Sequence, residues 1–174
     1  MVSQDEFRAA MAQLGAAVSI VTTDGPGGRY GMTVSAICSV TDTPPTVLVC
    51  INRQSAGNTA IKRNGVLGVN VLAAQQRGIA SRFSQREIPA PDRFALGEWS
   101  VGASGSPLLA DAAAALDCRV VEATEIGSHS VFFCEVEAAT VAVEAGCLIY
   151  HARTYHYVGA DPQIGDRGAG QGDR

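Results

Sequence analysis

The chain has 174 residues, of which 47% are hydrophobic and 17% charged, and a net charge of -4 at pH 7. This length and composition predict a single globular domain with a real core and exclude a disordered chain. Without a cluster of Lys and Arg, the negative charge argues against nucleic acid or an acidic membrane as a partner, and the apolar runs are too short to span a bilayer.

A helix and a hairpin are predicted at the start of the chain. Ser3 and Glu6 have the spacing of a capping box, and the helix would end at Gly15. Residues 17–23 are predicted as a strand, and the Asp-Gly-Pro-Gly-Gly sequence at 24–28 is typical of a hairpin turn.

Two extended runs follow, 31–40 and 46–52, joined by a Thr-Pro-Pro corner. In the first run Thr33, Ser35 and Ser39 fall at even spacings, which predicts a row of hydroxyls on one face of a strand. Buried hydroxyls need hydrogen-bond partners, so the row faces either solvent or a polar ligand. The spacing alone leaves both interpretations open.

A helix is predicted over residues 55–64. Ser55 is a good N-cap, Asn58 and Thr59 lie in the first turn, and Lys62 lies one turn further on. The free N–H groups of a helix start, together with hydroxyls and a cation, are suited to binding a phosphate.

The middle of the chain alternates regular and irregular segments. Gly65 would end the preceding helix, residues 66–72 are predicted as a buried strand, and residues 75–83 as a short helix. Residues 84–107, rich in Pro and Gly, are predicted as a long irregular connection. Ordered connections of this length often border a binding site, although many only cover a core.

The last third of the chain is predicted to be mostly strands. Residues 116–124 and 131–143 are predicted as a pair of strands, and 147–150 as the last strand. The Gly/Asp/Arg-rich residues 159–174 are predicted to be a disordered tail following a domain at 1–158.

The order of these elements predicts a fold that is mainly β with inserted helices. Only one strand–helix–strand crossing is present, which favours an antiparallel Greek-key barrel over a doubly wound parallel sheet. The chain also lacks a GxGxxG motif after its first strand, which argues against a Rossmann nucleotide site.

The five cysteines show no metal-ligand spacing and are expected to act as small buried hydrophobes. The histidines are far from any carboxylate pattern typical of a metal site, so no metal is expected. The acidic, polar N-terminus differs from a secretory signal, and we expect a cytoplasmic location.

Five motifs in this order carry a resemblance to a known family: GMTVSAICSVTDTPPTVLVCIN, SAGNTAIKRNGVLGVNVL, SRFS, GSH followed by SVFFCEVE, and LIYHARTYH. With them the chain resembles the short-chain flavin reductases of two-component monooxygenases, which have an FMN-binding split barrel. Within that family the motifs indicate a resemblance to the reductase component of 4-hydroxyphenylacetate 3-monooxygenase. The resemblance extends over residues 7–158, nearly all of the predicted domain.

The resemblance implies an NAD(P)H:flavin oxidoreductase. It would reduce FMN or FAD with NADH or NADPH and supply the reduced flavin to a separate oxygenase component, and it would form a homodimer. Because the cofactors carry the hydride transfer, no catalytic side chain is assigned with certainty. The alternatives are a non-catalytic flavin-binding or electron-transfer module on the same barrel, and a domain that serves only in protein interactions.

The resemblance also implies the residues of the site. Those expected to bind flavin are Thr33, Val34, Ser35, Ala36, Ser39, Asn52, Arg53, Ser55, Asn58, Thr59, Ser81, Arg82 and Phe83. Those expected to bind nicotinamide are His129, His151, Arg153 and Tyr155. Phe83 could equally be a core residue. The family commonly has Gly-Asp-His where this chain has Gly127-Ser128-His129, so His129 lacks the carboxylate neighbour that would fix its charge state and tautomer.

Overall fold

The computed structural model describes residues 1–142 and 144–159. Four helices lie within these residues: α1 (Gln4–Met11), α2 (Ala56–Asn64), α3 (Arg77–Ser84) and α4 (Ala90–Arg93). The strands there are β1 (Ala16–Ala17), β2 (Ser19–Thr23), β3 (Tyr30–Val34), β4 (Ile37–Asp42), β5 (Pro45–Asn52), β6 (Val66–Val71), β7 (Trp99–Val101), β8 (Pro107–Leu109), β9 (Ala114–Ile126), β10 (His129–Val141), β11 (Cys147–His151) and β12 (Thr154–Val158).

A seven-stranded antiparallel sheet in the order β3-β2-β6-β9-β10-β5-β4 forms the barrel. Its two edge strands, β3 and β4, are consecutive in the chain and only Ser35 and Ala36 separate them. The sheet must therefore curl until its edges approach each other, and the barrel is split at this point. This mainly antiparallel barrel with inserted helices confirms the predicted fold class.

The prediction of one unbroken strand over residues 31–40 is wrong. The chain leaves one edge of the sheet after Val34 and joins the opposite edge at Ile37, where the backbone N–H of Cys50 donates to the carbonyl of Ala36 (3.0 Å). An irregularity of register between Ser39 and Thr41 interrupts the alternation again. The predicted row of hydroxyls therefore does not lie along a single strand face.

The helix ends follow the sequence signals closely. Ser3 and Glu6 form the predicted capping box, and the Ser55 hydroxyl accepts from the backbone N–H of Gly57. Gly65 takes the left-handed conformation (φ 71°) that ends α2, which a residue with a Cβ adopts at a cost. Two helices depart from their predicted bounds: α1 ends at Met11 instead of reaching to Gly15, and α3 extends over Arg77–Ser84 instead of 75–83.

The long connection at 84–107 is more regular than predicted, because it contains α4 and the β7–β8 hairpin. Phe94 and Trp99 attach it to the barrel by packing on Phe83, with ring centroids 5.1 and 5.3 Å away. The three rings form edge and tilted contacts, the geometries that aromatic quadrupoles favour. The connection is thus held at a fixed position beside β3.

The chain also has a strand after the predicted last one. β11 and β12 pair through a two-residue turn, Ala152 and Arg153, whose φ angles are 48° and 62°. Of the predicted tail at 159–174, residues 160–174 lie outside the described residues. No helix within the described part of the chain is long and apolar enough to cross a membrane.

The cysteines only partly follow the prediction of buried positions. Cys118 and Cys134 are fully buried, and burial raises the pKa of each thiol to about 12. For Cys38 the prediction is wrong, because this thiol is exposed. Cys38 lies on the edge strand β4, and no other described residue covers its side chain.

Candidate functional site

Three adjoining cavities form a groove beside the split of the barrel. The largest, about 580 Å³, shares Thr33, Val34 and Ser84 with a cavity of about 260 Å³. That cavity in turn overlaps one of about 210 Å³. We call the side beside the β11–β12 hairpin the hairpin end and the side beside the 84–107 connection the loop end. The centre consists of the shared residues Thr33, Val34 and Ser84 together with the adjoining Ser35.

The centre of the groove is formed where β3 ends. The Thr33 hydroxyl donates to the carbonyl of Ala80 (2.7 Å), which ties β3 to α3, and Val34 packs partly against the core. Ser35 and Ser84 are exposed in the groove. The centre therefore combines small hydroxyl groups with an apolar surface, a combination suited to a flat ring that carries carbonyl and N–H groups.

The loop end contains two arginines beside the start of α2. The guanidinium of Arg93, only 5% exposed, donates to the carbonyls of Ile88 (3.0 Å) and Gly31 (2.9 Å) and lies over the ring of Tyr30. Arg86 is exposed and lines the same cavity, as do Asn52 and Ser55. A fixed cation, a second arginine and a helix start suit this end to a phosphate group.

The hairpin end contains a different pair of arginines and a pair of tyrosines. Arg77 and Arg153 are exposed and line the large cavity. The rings of Tyr150 and Tyr155 lie 5.2 Å apart, and the Arg77 guanidinium is 5.4 Å from the centre of the Tyr155 ring. Burial raises the pKa of Tyr155, which keeps this phenol protonated at neutral pH.

A fourth cavity, about 620 Å³, lies around the 52–55 segment and is lined by Arg53, Lys62 and Arg63. We call it the basic cavity. Glu125 pairs there with Arg53 (2.5 Å) and with Lys62, and the hydrogen bond from Lys62 holds the pKa of this carboxyl below its usual value. One carboxylate is thus shared by two of the three cations.

The predicted flavin and nicotinamide residues are distributed over these cavities. Those that line the groove are Thr33, Val34, Ser35, Asn52, Ser55, Phe83, Arg153 and Tyr155. Those that line the basic cavity are Asn52, Arg53, Asn58 and Thr59. Those that line none of these four cavities are Ala36, Ser39, Ser81, Arg82, His129 and His151.

Several of these side chains also maintain the structure. The Asn58 amide is buried and donates to the carbonyl of Ile51 (3.1 Å) and the hydroxyl of Ser130 (2.8 Å). Phe83 is 1% exposed in the aromatic cluster, and Arg82 donates to the carbonyl of Asp92 (2.8 Å). Their contact with a ligand stays a prediction.

The four residues predicted for nicotinamide do not lie together. Arg153 and Tyr155 line the hairpin end, whereas the His151 ring lies 5.6 Å from that of His156. His129 is exposed at the β9–β10 turn, opposite Asn52 in the register, and its Nδ1 is 2.9 Å from the hydroxyl of Ser128. In this chain the Ser128 hydroxyl is thus the hydrogen-bonding neighbour of the His129 ring.

Sequence reasoning missed most of the cations in the groove. Arg86 and Arg93 lie in the long connection, a kind of segment that often borders a site. Arg77 carried no such signal, because an exposed arginine at the start of a helix is typical of any surface. In residues 1–142 and 144–159, no group of three or more His, Cys, Asp or Glu side chains is placed to hold a metal ion.

Comparisons with known proteins agree with this architecture. A family profile described as "Flavin reductase like domain" matches residues 11–159. The chain is 54% identical over 157 residues to "FMN reductase (NADH) RutF" of Variovorax paradoxus, covering 90% of this chain and 87% of that protein. It is 49% identical over 162 residues to the protein of the same name from Ancylobacter novellus, covering 93% and 89%.

A solved structure adds a likeness in three dimensions. The NADH:FAD oxidoreductase SgcE6 of Streptomyces globisporus C-1027, determined with NAD and FAD fragments, superposes with a TM-score of 0.84 at 27% identity. The match covers 92% of this chain and 95% of that structure.

Proposed function

The chain belongs to the flavin reductase-like domain family, and from this premise we propose that it is an NADH-dependent FMN reductase that supplies reduced flavin to a separate monooxygenase component. Relatives that are 49% and 54% identical to this chain have the name FMN reductase (NADH), and the matches cover 89% and 87% of their length. The structural observation that carries the proposal is the groove, in which a centre of hydroxyl and apolar groups lies between two pairs of arginines.

FMN fits this groove with its ring at the centre and its phosphate at the loop end. The ring would lie against the end of β3 at Thr33, Val34 and Ser35, where the chain crosses the split. The phosphate would then meet Arg86 and the start of α2 at Ser55. Cations and free helix N–H groups favour the doubly charged phosphate of FMN.

The residues of the groove then act by binding and orienting. Bound together, the two nucleotides supply the chemistry, the transfer of a hydride from C4 of NADH to N5 of FMN. The chain's contribution is to hold the flat rings in contact and to keep water out of the space between them. Small residues at the split of the barrel allow a ring to approach the backbone closely.

The remaining predicted contacts form part of the same proposal. Arg53, Asn58 and Thr59 border the basic cavity next to the loop end, where they would add positive charge and polar groups near the phosphate. His129 and His151 would act from the margin of the groove. Ala36, Ser39, Ser81 and Arg82 would support the shape of its walls.

The partners follow from the same reasoning. A reductase of this kind delivers reduced flavin to an oxygenase that lies on another polypeptide. The motif resemblance to the reductase component of 4-hydroxyphenylacetate 3-monooxygenase stays a narrower hypothesis within the family, and it leaves the substrate of the partner oxygenase open. A homodimer, the domain at 1–158 and a cytoplasmic location stay predictions.

Anaerobic stopped-flow absorbance tests the proposal directly. Protein with added FMN or FAD is mixed with NADH or NADPH, and the loss of the oxidised flavin band is followed. We expect rapid bleaching with FMN and NADH, and slower bleaching when either nucleotide is replaced. FMN binding without bleaching would support a flavin carrier instead, and an absence of binding would leave only a domain for protein interactions.

A further inference from the structure

We propose that Arg77 and Arg153 together bind the diphosphate of NADH at the hairpin end of the groove, a role that rests on the proposed function. Arg77 is the first residue of α3 and Arg153 lies in the β11–β12 turn, far apart in sequence. Both line the cavity of about 580 Å³. No sequence motif indicates a role for Arg77.

Charge is the first argument for this role. Neither guanidinium forms an ion pair within residues 1–142 and 144–159, and the lining of the cavity contains no Asp or Glu. Two unneutralised cations beside one cavity favour a ligand with two neighbouring negative charges. The diphosphate of a dinucleotide carries such charges, and the planar guanidinium matches phosphate oxygens in pairs.

The backbone at Arg153 gives the second argument. Arg153 and Ala152 both have positive φ angles (62° and 48°), where two-residue hairpin turns usually have Asn and Gly. The paired strands on both sides hold this conformation, and the Ala152 N–H donates to the carbonyl of Ala12 (2.7 Å). Residues held in unfavourable backbone conformations occur often at ligand sites, where the position of a side chain matters.

The two ends of the groove also divide the ligands between them. At the loop end, Arg86 and Arg93 already provide cations for the single phosphate of FMN. The hairpin end is larger and adds the rings of Tyr150 and Tyr155, on which a base can stack. An NADH molecule with its nicotinamide at the centre of the groove would extend its diphosphate toward this end.

Two substitutions test the arginine pair with little effect on the fold. Arg77→Gln shortens an exposed side chain, and Arg153→Asn introduces a residue that tolerates positive φ. The kcat and KM are measured with NADH and with reduced nicotinamide mononucleotide, which has the same reactive ring but no diphosphate. Arg8→Gln, at an exposed arginine of α1, is the matched control.

We expect each groove variant to raise the KM for NADH by about tenfold, the loss of one charge-assisted contact to phosphate. The KM for the mononucleotide, the kcat and the Kd for FMN should stay within about twofold of wild type, as should every constant of the control. An unchanged KM for NADH, or equal losses for NADH, the mononucleotide and FMN, would overturn the proposal.

A binding measurement separates this proposal from the function on which it rests. ADP-ribose contains the diphosphate but no nicotinamide. Calorimetric titration with ADP-ribose therefore measures binding to the arginine pair without any reduction of flavin. Wild-type protein that binds ADP-ribose, with binding weakened in both variants, but does not reduce FMN would refute the reductase function and support the arginine pair. Active wild-type protein whose variants bind ADP-ribose with wild-type affinity would refute the arginine pair alone.

Discussion

The loop end and the hairpin end of the groove both carry two arginines, but the protein holds them differently. At the loop end Arg93 is almost completely buried, hydrogen-bonded to two backbone carbonyls and placed over the Tyr30 ring. At the hairpin end Arg77 and Arg153 are exposed, and a tyrosine ring is the one cation–π neighbour of Arg77 in the described chain.

Because of this difference, the arginines of the two ends lose their side-chain entropy at different steps. The side-chain entropy of Arg93 is lost when the chain folds, so the loop end is ready for its ligand beforehand. Arg77 and Arg153 would lose their freedom only when a nucleotide binds. Substitution of the buried Arg93 should therefore lower the stability of the protein, whereas substitutions of the exposed Arg77 and Arg153 should lower mainly the affinity for the nucleotide.

The largest effect is expected at Phe83, which anchors the connection that forms the loop end. Phe83→Ala removes the ring on which Phe94 and Trp99 pack and should lower the free energy of unfolding by about 4 kcal/mol. Urea unfolding followed by the fluorescence of Trp99 measures it. Phe7→Ala, at a ring that is 55% exposed, is the control and should lower the free energy of unfolding far less. If Phe83→Ala kept full stability and lost only FMN affinity, Phe83 would be a flavin contact instead of a core residue.

A smaller loss is expected for Arg93→Met. The variant loses two hydrogen bonds from a buried charged donor, to Gly31 and Ile88, so we expect about 3 kcal/mol of destabilisation. Arg77→Gln should change stability by less than about 0.5 kcal/mol, as usual for an exposed side chain. Equal stability changes for the two variants, measured in the same urea titration, would remove the distinction between the two ends.

The sign of the stability change should reverse at Arg153. Arg153→Gly relieves the positive φ and should stabilise the fold by about 0.5–1 kcal/mol, while the KM for NADH rises. Thermal unfolding and steady-state kinetics of one preparation measure both quantities. A variant that is less stable than wild type would mean that the arginine side chain supports the hairpin, and the affinity argument for this residue would lose its basis.

The smallest effect is expected for His129→Ala. This ring is exposed and its one side-chain hydrogen bond within the described residues is to the adjacent Ser128, so we expect the KM for NADH to rise by about twofold to threefold, as for the loss of one weak contact. The Kd for FMN should not change. A fall in kcat of tenfold or more would instead place the hydride-transfer step beside His129 and contradict the arrangement proposed for the groove.

The sequence predicted the elements whose signals are local. The capping box at Ser3 and Glu6 and the boundaries of α2 at Ser55 and Gly65 follow from side chains that bond to nearby backbone or permit a special φ angle. The break between Val34 and Ile37 could not be predicted in this way, because it depends on which edge of the sheet each half of the segment joins.

The β11–β12 turn and the arginine pairs show a second limit of prediction from sequence. Ala152 and Arg153 adopt positive φ without the Asn or Gly that would have indicated a hairpin, so β12 was missed. Arg77 and Arg153 belong to different elements, and only the fold brings them to one cavity. The family resemblance supplied the candidate residues of β3 and Arg153, but not the groove arginines Arg77, Arg86 and Arg93.

The most direct test of the account is peptide-resolved hydrogen–deuterium exchange of the protein alone, with FMN, and with ADP-ribose. The account predicts that FMN slows exchange in residues 30–36 and 84–93, at the centre and the loop end. ADP-ribose should slow it in residues 147–158, at the hairpin end. Protection by FMN confined to residues 58–63 and 125–130, around the basic cavity, would contradict the placement of the flavin in the groove.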